Sequence, residues 1–321
     1  MTHVKNPDDY WTTEFQPADG PDRRPIHDVK RKAGHALARF VEEVGAPLWM
    51  VADGAAIDGL AECLEGSGLE HHCLFADATF RHMTGAAPWL ISVDRADGLA
   101  RQMLDTDCCT HWSLWRSGIL LSSAATGPAL ARHMRRAILR RINGRRVFHR
   151  FWEPNAVFDY FRALTSLPDR ASQTFSIGAD RIDGLMAYDG LCDRSVVVTC
   201  SEVDRSVGFE PELHRVEVEA LLAAVLRPYA IDMAVDLAET EPTVVGHLDG
   251  LELEDALTES CVRLHGHGFR DLGLMRELAL QDVWQGGPFE DEDGALLDIC
   301  ARDTDEHAKY AALSRRIMEL A

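Results

Sequence analysis

Asn143-Gly144, set between residues 138–142 (ILRRI) and 145–152 (RRVFHRFW), constrains the fold more than any other dipeptide in this chain. Both residues accept the positive φ of a type I′ turn, whose twist matches that of the strands it joins. A two-residue loop predicts a hairpin that pairs Ile142 with Arg145, Arg141 with Arg146, Arg140 with Val147 and Leu139 with Phe148. The segments on either side follow from that register. Pro128 suits the first turn of a preceding helix, with Leu130, Met134 and Ala137 as its buried stripe and Arg132 and Arg136 on the opposite face. Trp152-Glu153-Pro154 closes the second strand, and Pro154 opens a helix continued by Val157, Phe158, Phe161 and Leu164.

Residues 130–154 also hold eight arginines (132, 135, 136, 140, 141, 145, 146 and 150) with no acid before Glu153, although the whole chain carries a formal charge of −19. Two readings stay open. The arginines brace the helix and hairpin by pairing with the chain's own carboxylates, or they form a docking surface for an acidic partner. Like charges facing each other across a ladder cost up to about 1 kcal/mol, so Arg141 and Arg146 call for a carboxylate or a partner nearby. Trp152 either packs beneath the arginines or joins them in a partner contact, since Trp and Arg are favoured at interface hot spots. Trp112 and Trp115 lie three apart on a presumed strand and face opposite sides of it. The docking candidates are therefore Arg132, Arg136, Arg141, Arg146 and Arg150, with Trp115 and Trp152.

The expected organisation is an N-terminal arm over residues 1–25, an α/β domain over 26–205 and an all-helical lobe over 206–321. Four prolines and no apolar period mark the arm. A helical stripe runs over residues 26–44. Short apolar runs at 47–52, 72–76, 89–93 and 111–122 then alternate with helical patches, notably 56–64 and 95–104, which predicts a mixed sheet layered with helices. Two further strands are expected at 185–188 and 195–200. Beyond Glu210 the periods lengthen into helices over 216–237, 251–264, 272–284, 294–300 and 306–320, punctuated by Pro228, Pro242 and Gly286-Gly287-Pro288. Residues 241–300 hold fourteen acids against three arginines, a net −11.

Composition narrows the chemistry. The apolar runs, such as residues 220–226, fall far short of the ~20 residues of a membrane span. The start of the chain does not read as a signal peptide. Eight scattered cysteines without a CxxC read as reduced cytoplasmic thiols, mostly in the core. The net negative charge argues against a nucleic-acid partner. His71-His72-Cys73, Cys108-Cys109 with His111, and His265 with His267 contain metal-ligating atoms, yet none has the spacing that lets one element present two ligands together. No GxSxG elbow, glycine-rich phosphate loop or EF-hand loop is present. Neither metal, cofactor nor catalytic set is expected, and a metal-dependent hydrolase built on the His and Cys clusters is the alternative.

Five stretches occur in a telling order: residues 49–55 (WMVADGA), 74–77 (LFAD), 87–91 (APWLI), 112–117 (WSLWRS) and 130–154 (LARHMRRAILRRINGRRVFHRFWEP). Together they resemble the effector adaptor or chaperone (Tap) family of type VI secretion systems over about residues 47–165, the hairpin and its Arg-Phe-Trp-Glu-Pro exit being the most specific part. Asn143 and Glu153 stand where that family usually has aspartate. The resemblance implies a non-enzymatic cytoplasmic protein that holds a cognate toxic effector and loads it onto the spike protein VgrG.

Overall fold

The computed structural model describes residues 11–15, 40, 47–75, 80, 83, 85–93, 98–104, 117–189, 194–200, 203–291 and 293–320. The chain divides into two compact units, the first running to Leu221 and the second over Leu222–Ala321. The division falls within one long helix.

The first unit is built on an antiparallel sheet. Its strands are β1 (Trp11–Phe15), β2 (Leu48–Asp53), β3 (His71–Cys73), β4 (Pro88–Ser92), β5 (Gly118–Ser123), β9 (Asp180–Asp189) and β10 (Arg194–Cys200), in the order β1-β10-β9-β5-β2-β4-β3, with the short β8 (Ser176–Ile177) paired to β9. Every ladder of that sheet among the described residues is antiparallel. The α/β character expected from the alternating runs holds, and the mixture is of sheet with helices rather than of strand directions. The strands β2 and β5 are continuous apolar runs, the mark of strands buried on both faces. Here an antiparallel sheet is covered on both sides. Two-residue alternation in β2 sends Trp49 and Val51 to one face and Leu48, Met50 and Ala52 to the other.

On the first face these side chains pack with Leu90, Ile119, Leu121 and Leu185 against three helices: α3 (Gly127–Ile138), α4 (Pro154–Leu164) and α5 (Pro168–Phe175). On the second, Leu120, Ile91 and Met186 meet Ile57, Leu60 and Leu64 from the α1 region (helix Leu60–Ser67) and Ala100 and Met103 from α2 (Gly98–Leu104). Phe40, the described residue of the expected 26–44 helix, is buried in that layer. At the sheet centre Gly118 approaches β2 so closely that a Cβ there would sit 1.8 Å from the Val51 carbonyl oxygen.

The hairpin is β6 (Leu139–Ile142) with β7 (Arg145–Phe148), and its four pairs are those the Asn-Gly turn predicts. Asn143 and Gly144 both take positive φ, 51° and 76°. The flanking helices begin at the expected prolines, each at the start of α3 or α4.

The second unit is helical. After α6 (Arg215–Thr240), which spans the division, come α7 (Pro242–Val245), α8 (Gly250–Gly266), α9 (Leu272–Gln285), α10 (Gly294–Cys300) and α11 (Glu306–Leu320). The helix expected over 216–237 runs through Pro228 without a break. The proline removes one backbone donor, and the burial of Leu226, Ala230, Met233 and Leu237 in the helical core offsets that loss. Asp249 and Glu252 form a capping box at the start of α8, and Asp271 caps α9. Between those helices Gly268 takes φ +92° and Phe269 is fully buried. No helix among the described residues is long and apolar enough to cross a membrane.

Candidate functional site

The eight arginines separate into braces and free cations. Arg135 donates to the Cys73 carbonyl at 2.7 Å, tying α3 to β3. Arg150, on the exit from the hairpin, contacts the buried Asp53 at the end of β2 and also pairs with Glu153 at 2.9 Å. Asp53 accepts the Ala55 amide as well, at 2.9 Å. Thus the aspartate and the Arg-Phe-Trp-Glu-Pro exit, far apart in sequence, meet as a structural joint.

Arg140 is the deepest brace, 4% exposed. It points from the inner face of the hairpin towards Glu217, itself 1% exposed, with 3.6 Å between them. Glu217 also receives Arg170 at 3.0 Å, the Tyr160 hydroxyl at 3.0 Å and the His214 amide at 2.8 Å. Around this carboxylate a strap, residues 209–217, lies along the hairpin. The Arg141 amide donates to the Pro211 carbonyl at 2.9 Å, and the Leu213 amide donates to the Arg141 carbonyl at 2.8 Å. Phe209 carries the guanidiniums of Arg136 and Arg140, 5.6 and 5.2 Å from its ring centre. Burial pulls Arg140 below its ordinary range, and Tyr160 is raised by burial and by the Glu217 charge. Two buried histidines complete the layer. His133 meets the Thr174 carbonyl at 2.7 Å, and His149 meets that of Ala137 at 3.0 Å. Burial lowers each to about 4, so both are neutral.

Part of the basic island is therefore answered within the first unit, by Glu217 for Arg140 and by Asp53 and Glu153 for Arg150, all of which precede the acidic 241–300 segment. The rest is not. Arg132, Arg136, Arg141, Arg145 and Arg146 are all exposed, as is the paired Arg150. Among the described residues Arg132, Arg141, Arg145 and Arg146 form no ion pair. Glu212, the carboxylate nearest the turn, instead accepts the Gly144 amide at 3.0 Å. Arg132 and Arg136 border an open cleft between α3 and the β8–β9 turn, lined also by Ala129, Arg135, Ile177 and Gly178.

The tryptophans resolve differently from the arginines. Trp115 lies outside the described residues, as do Trp112, Cys108, Cys109 and His111. Trp152, a docking candidate whose other reading was packing beneath the arginines, is 1% exposed and belongs to the core. It carries on its edge a residue the sequence reading passed over: Phe148, 43% exposed, 5.8 Å from Trp152 between ring centres and edge-on to Phe75 at 5.5 Å and to Phe80 at 6.0 Å. The hairpin register held the signal, since it puts Phe148 on the same face as Arg141 and Arg146.

Among the described residues no three His, Cys, Asp or Glu side chains are grouped to hold a metal ion. His72 instead pairs with Glu70 at 3.0 Å and His267 with Glu290 at 3.2 Å. Cys261 and Cys300 are buried, each thiol raised to about 11 chiefly by burial. The cavity between His133, Arg140, His149 and Tyr160 is about 30 Å³, far below the size of a small-molecule site.

The first unit is thus an α/β domain that presents unpaired guanidiniums around an exposed aromatic ring. Residues 48–169 match the family model described as a domain of unknown function, DUF4123, which is associated with type VI secretion effector adaptors. The match runs from β2 into the start of α5 and takes in the Asp53–Arg150 joint, α3 and the hairpin. No curated protein and no solved structure matches the chain.

Proposed function

We propose that this protein is a non-enzymatic, cytoplasmic adaptor of type VI secretion that binds a cognate effector and helps load it onto the VgrG spike. The observation that carries the reading is the set of exposed, unpaired arginines, Arg132, Arg141 and Arg146, displayed on the helix–hairpin unit inside the matched residues. In a chain of net charge −19, such a local inversion selects an acidic partner and speeds encounter with it. A carrier must hold its cargo specifically and still release it, which suits charge arranged around a modest apolar anchor.

Co-expression with the effector and the spike protein encoded beside it tests the reading. A complex with at least one of them is expected to co-purify, and charge reversal at Arg136 with Arg146 is expected to abolish it while leaving the thermal melt unchanged. Failure of the unaltered protein to bind either neighbour overturns the assignment.

A further inference from the structure

The hairpin has a free edge. In a two-residue hairpin the Ile142–Arg145 and Arg140–Val147 pairs exchange backbone hydrogen bonds, and the alternate residues direct theirs outward. On β6 the outward groups are used, since the amide and carbonyl of Arg141 bond to the 211–213 strap. On β7 the corresponding residues are Arg146 and Phe148. Their amides and carbonyls have no partner among the described residues. An unpaired strand edge is a template for another strand, and this one is exposed at Arg145, Arg146 and Phe148.

Side chains on that edge state what would pair with it. Directly opposed residues in a ladder share a face, so Arg141, Arg146, Leu139 and Phe148 stand on one side of the hairpin. That side has two like charges facing each other without a carboxylate, next to a half-exposed ring held on Phe75, Phe80 and Trp152. Those three rings fix the orientation of Phe148 before any partner arrives, so little side-chain freedom is left to lose on binding.

We infer that β7 accepts an extended, acidic segment of the partner protein as an added strand, with a carboxylate opposite Arg146 and an apolar side chain, two residues away, covering Phe148. The backbone of Arg146 and Phe148 supplies the hydrogen bonds of the new ladder, and the carboxylate relieves the Arg141–Arg146 repulsion. This inference rests on the adaptor reading and names the surface and partner chemistry that reading leaves open. Short edge length limits the added strand to a few residues, so the segment anchors a larger contact.

The test compares Arg146→Ala, Arg146→Pro, Phe148→Ser and the double variant Arg141→Glu with Arg146→Glu for binding to the co-encoded effector and spike protein, with a thermal melt of each. Arg146→Ala removes the charge. Arg146→Pro also removes an outward-facing amide, which the hairpin itself does not use. Expected are a loss of roughly 30-fold or more for Phe148→Ser, as for an interface hot spot, and about 10-fold more for Arg146→Pro than for Arg146→Ala. The charge-reversed pair should not bind at all. If Phe148→Ser lowers the melt, the two exposed Arg146 variants and the double variant decide the matter. Equal binding by Arg146→Pro and Arg146→Ala overturns the added strand while leaving the adaptor standing. No binding by the unaltered protein removes both.

Discussion

At the scale of single residues, the first unit buries groups that water would otherwise charge. His133 and His149 are held near 4 against an ordinary 6.5, burial outweighing their backbone hydrogen bonds. The unfolded chain protonates both as pH falls through 6.5, whereas the folded chain does not until about pH 4. Stability is therefore full above 6.5 and is lost as pH falls from 6.5 towards 4, by an amount on the order of 3 kcal/mol for each histidine. Urea denaturation at a series of pH values is expected to show that loss, and replacing both histidines by glutamine should flatten this part of the profile. Phe148 is the residue at which reading the sequence fell short. Its position on the arginine face follows from a register that the Asn-Gly turn already predicts, yet an aromatic in a strand is usually core, and at 43% exposure it is covered by residues distant in sequence, Phe75 and Phe80, as well as by Trp152.

At the scale of elements, the hairpin and its two proline-started helices were legible because their signals are local: turn chemistry, a proline at each helix start and a 3.6-residue stripe. The strap over residues 209–217 was not legible, since what makes it part of the first unit is a set of contacts between residues far apart in sequence, from 37 for Glu210 and Gln173 to 71 for Arg140 and Pro211. Tyr160 and Glu217 alone are 57 apart. Glu217 is the centre of that joint, the buried carboxylate that pairs with both Arg140 and Arg170, beside the exposed Glu210. Replacing it with alanine leaves two cations without their shared counter-charge in a buried layer, and a cost of about 3–5 kcal/mol follows. Chemical denaturation should show a lower midpoint with an unchanged slope. A variant as stable as the original would mean that the strap is held by Leu213 and its backbone bonds instead.

At the scale of the whole molecule, the two units answer acid differently. In the helical unit Arg263 contacts both Asp282 and Glu290, joining α8 to α9 and to the turn at Phe289–Asp291. Burial pushes Asp282 up; it would raise Glu290 too, but hydrogen bonds from His267 and Arg263 hold Glu290 down at about 2. A carboxylate lowered from 4.5 to about 2 contributes stability that is full above 4.5 and is lost as pH falls from 4.5 to 2. The histidine layer of the first unit fails earlier. Hydrogen-exchange protection, taken relative to the intrinsic rate at each pH, is therefore expected to fall from pH 7 to pH 5 more over residues 127–175 than over 250–300, and a uniform change would contradict this.

Charge also links the molecule to its proposed role, because the arginines left unpaired lie within the residues that match DUF4123. The most direct measurement of that role is the affinity of the purified protein for its co-encoded effector and spike protein as salt is raised, with the unaltered chain beside the Arg141→Glu, Arg146→Glu variant. A complex with one of them is expected, weakening steadily with salt and absent for the variant at every salt concentration, both proteins melting alike. A complex indifferent to salt and to charge reversal would show that the arginine face is not where the partner docks.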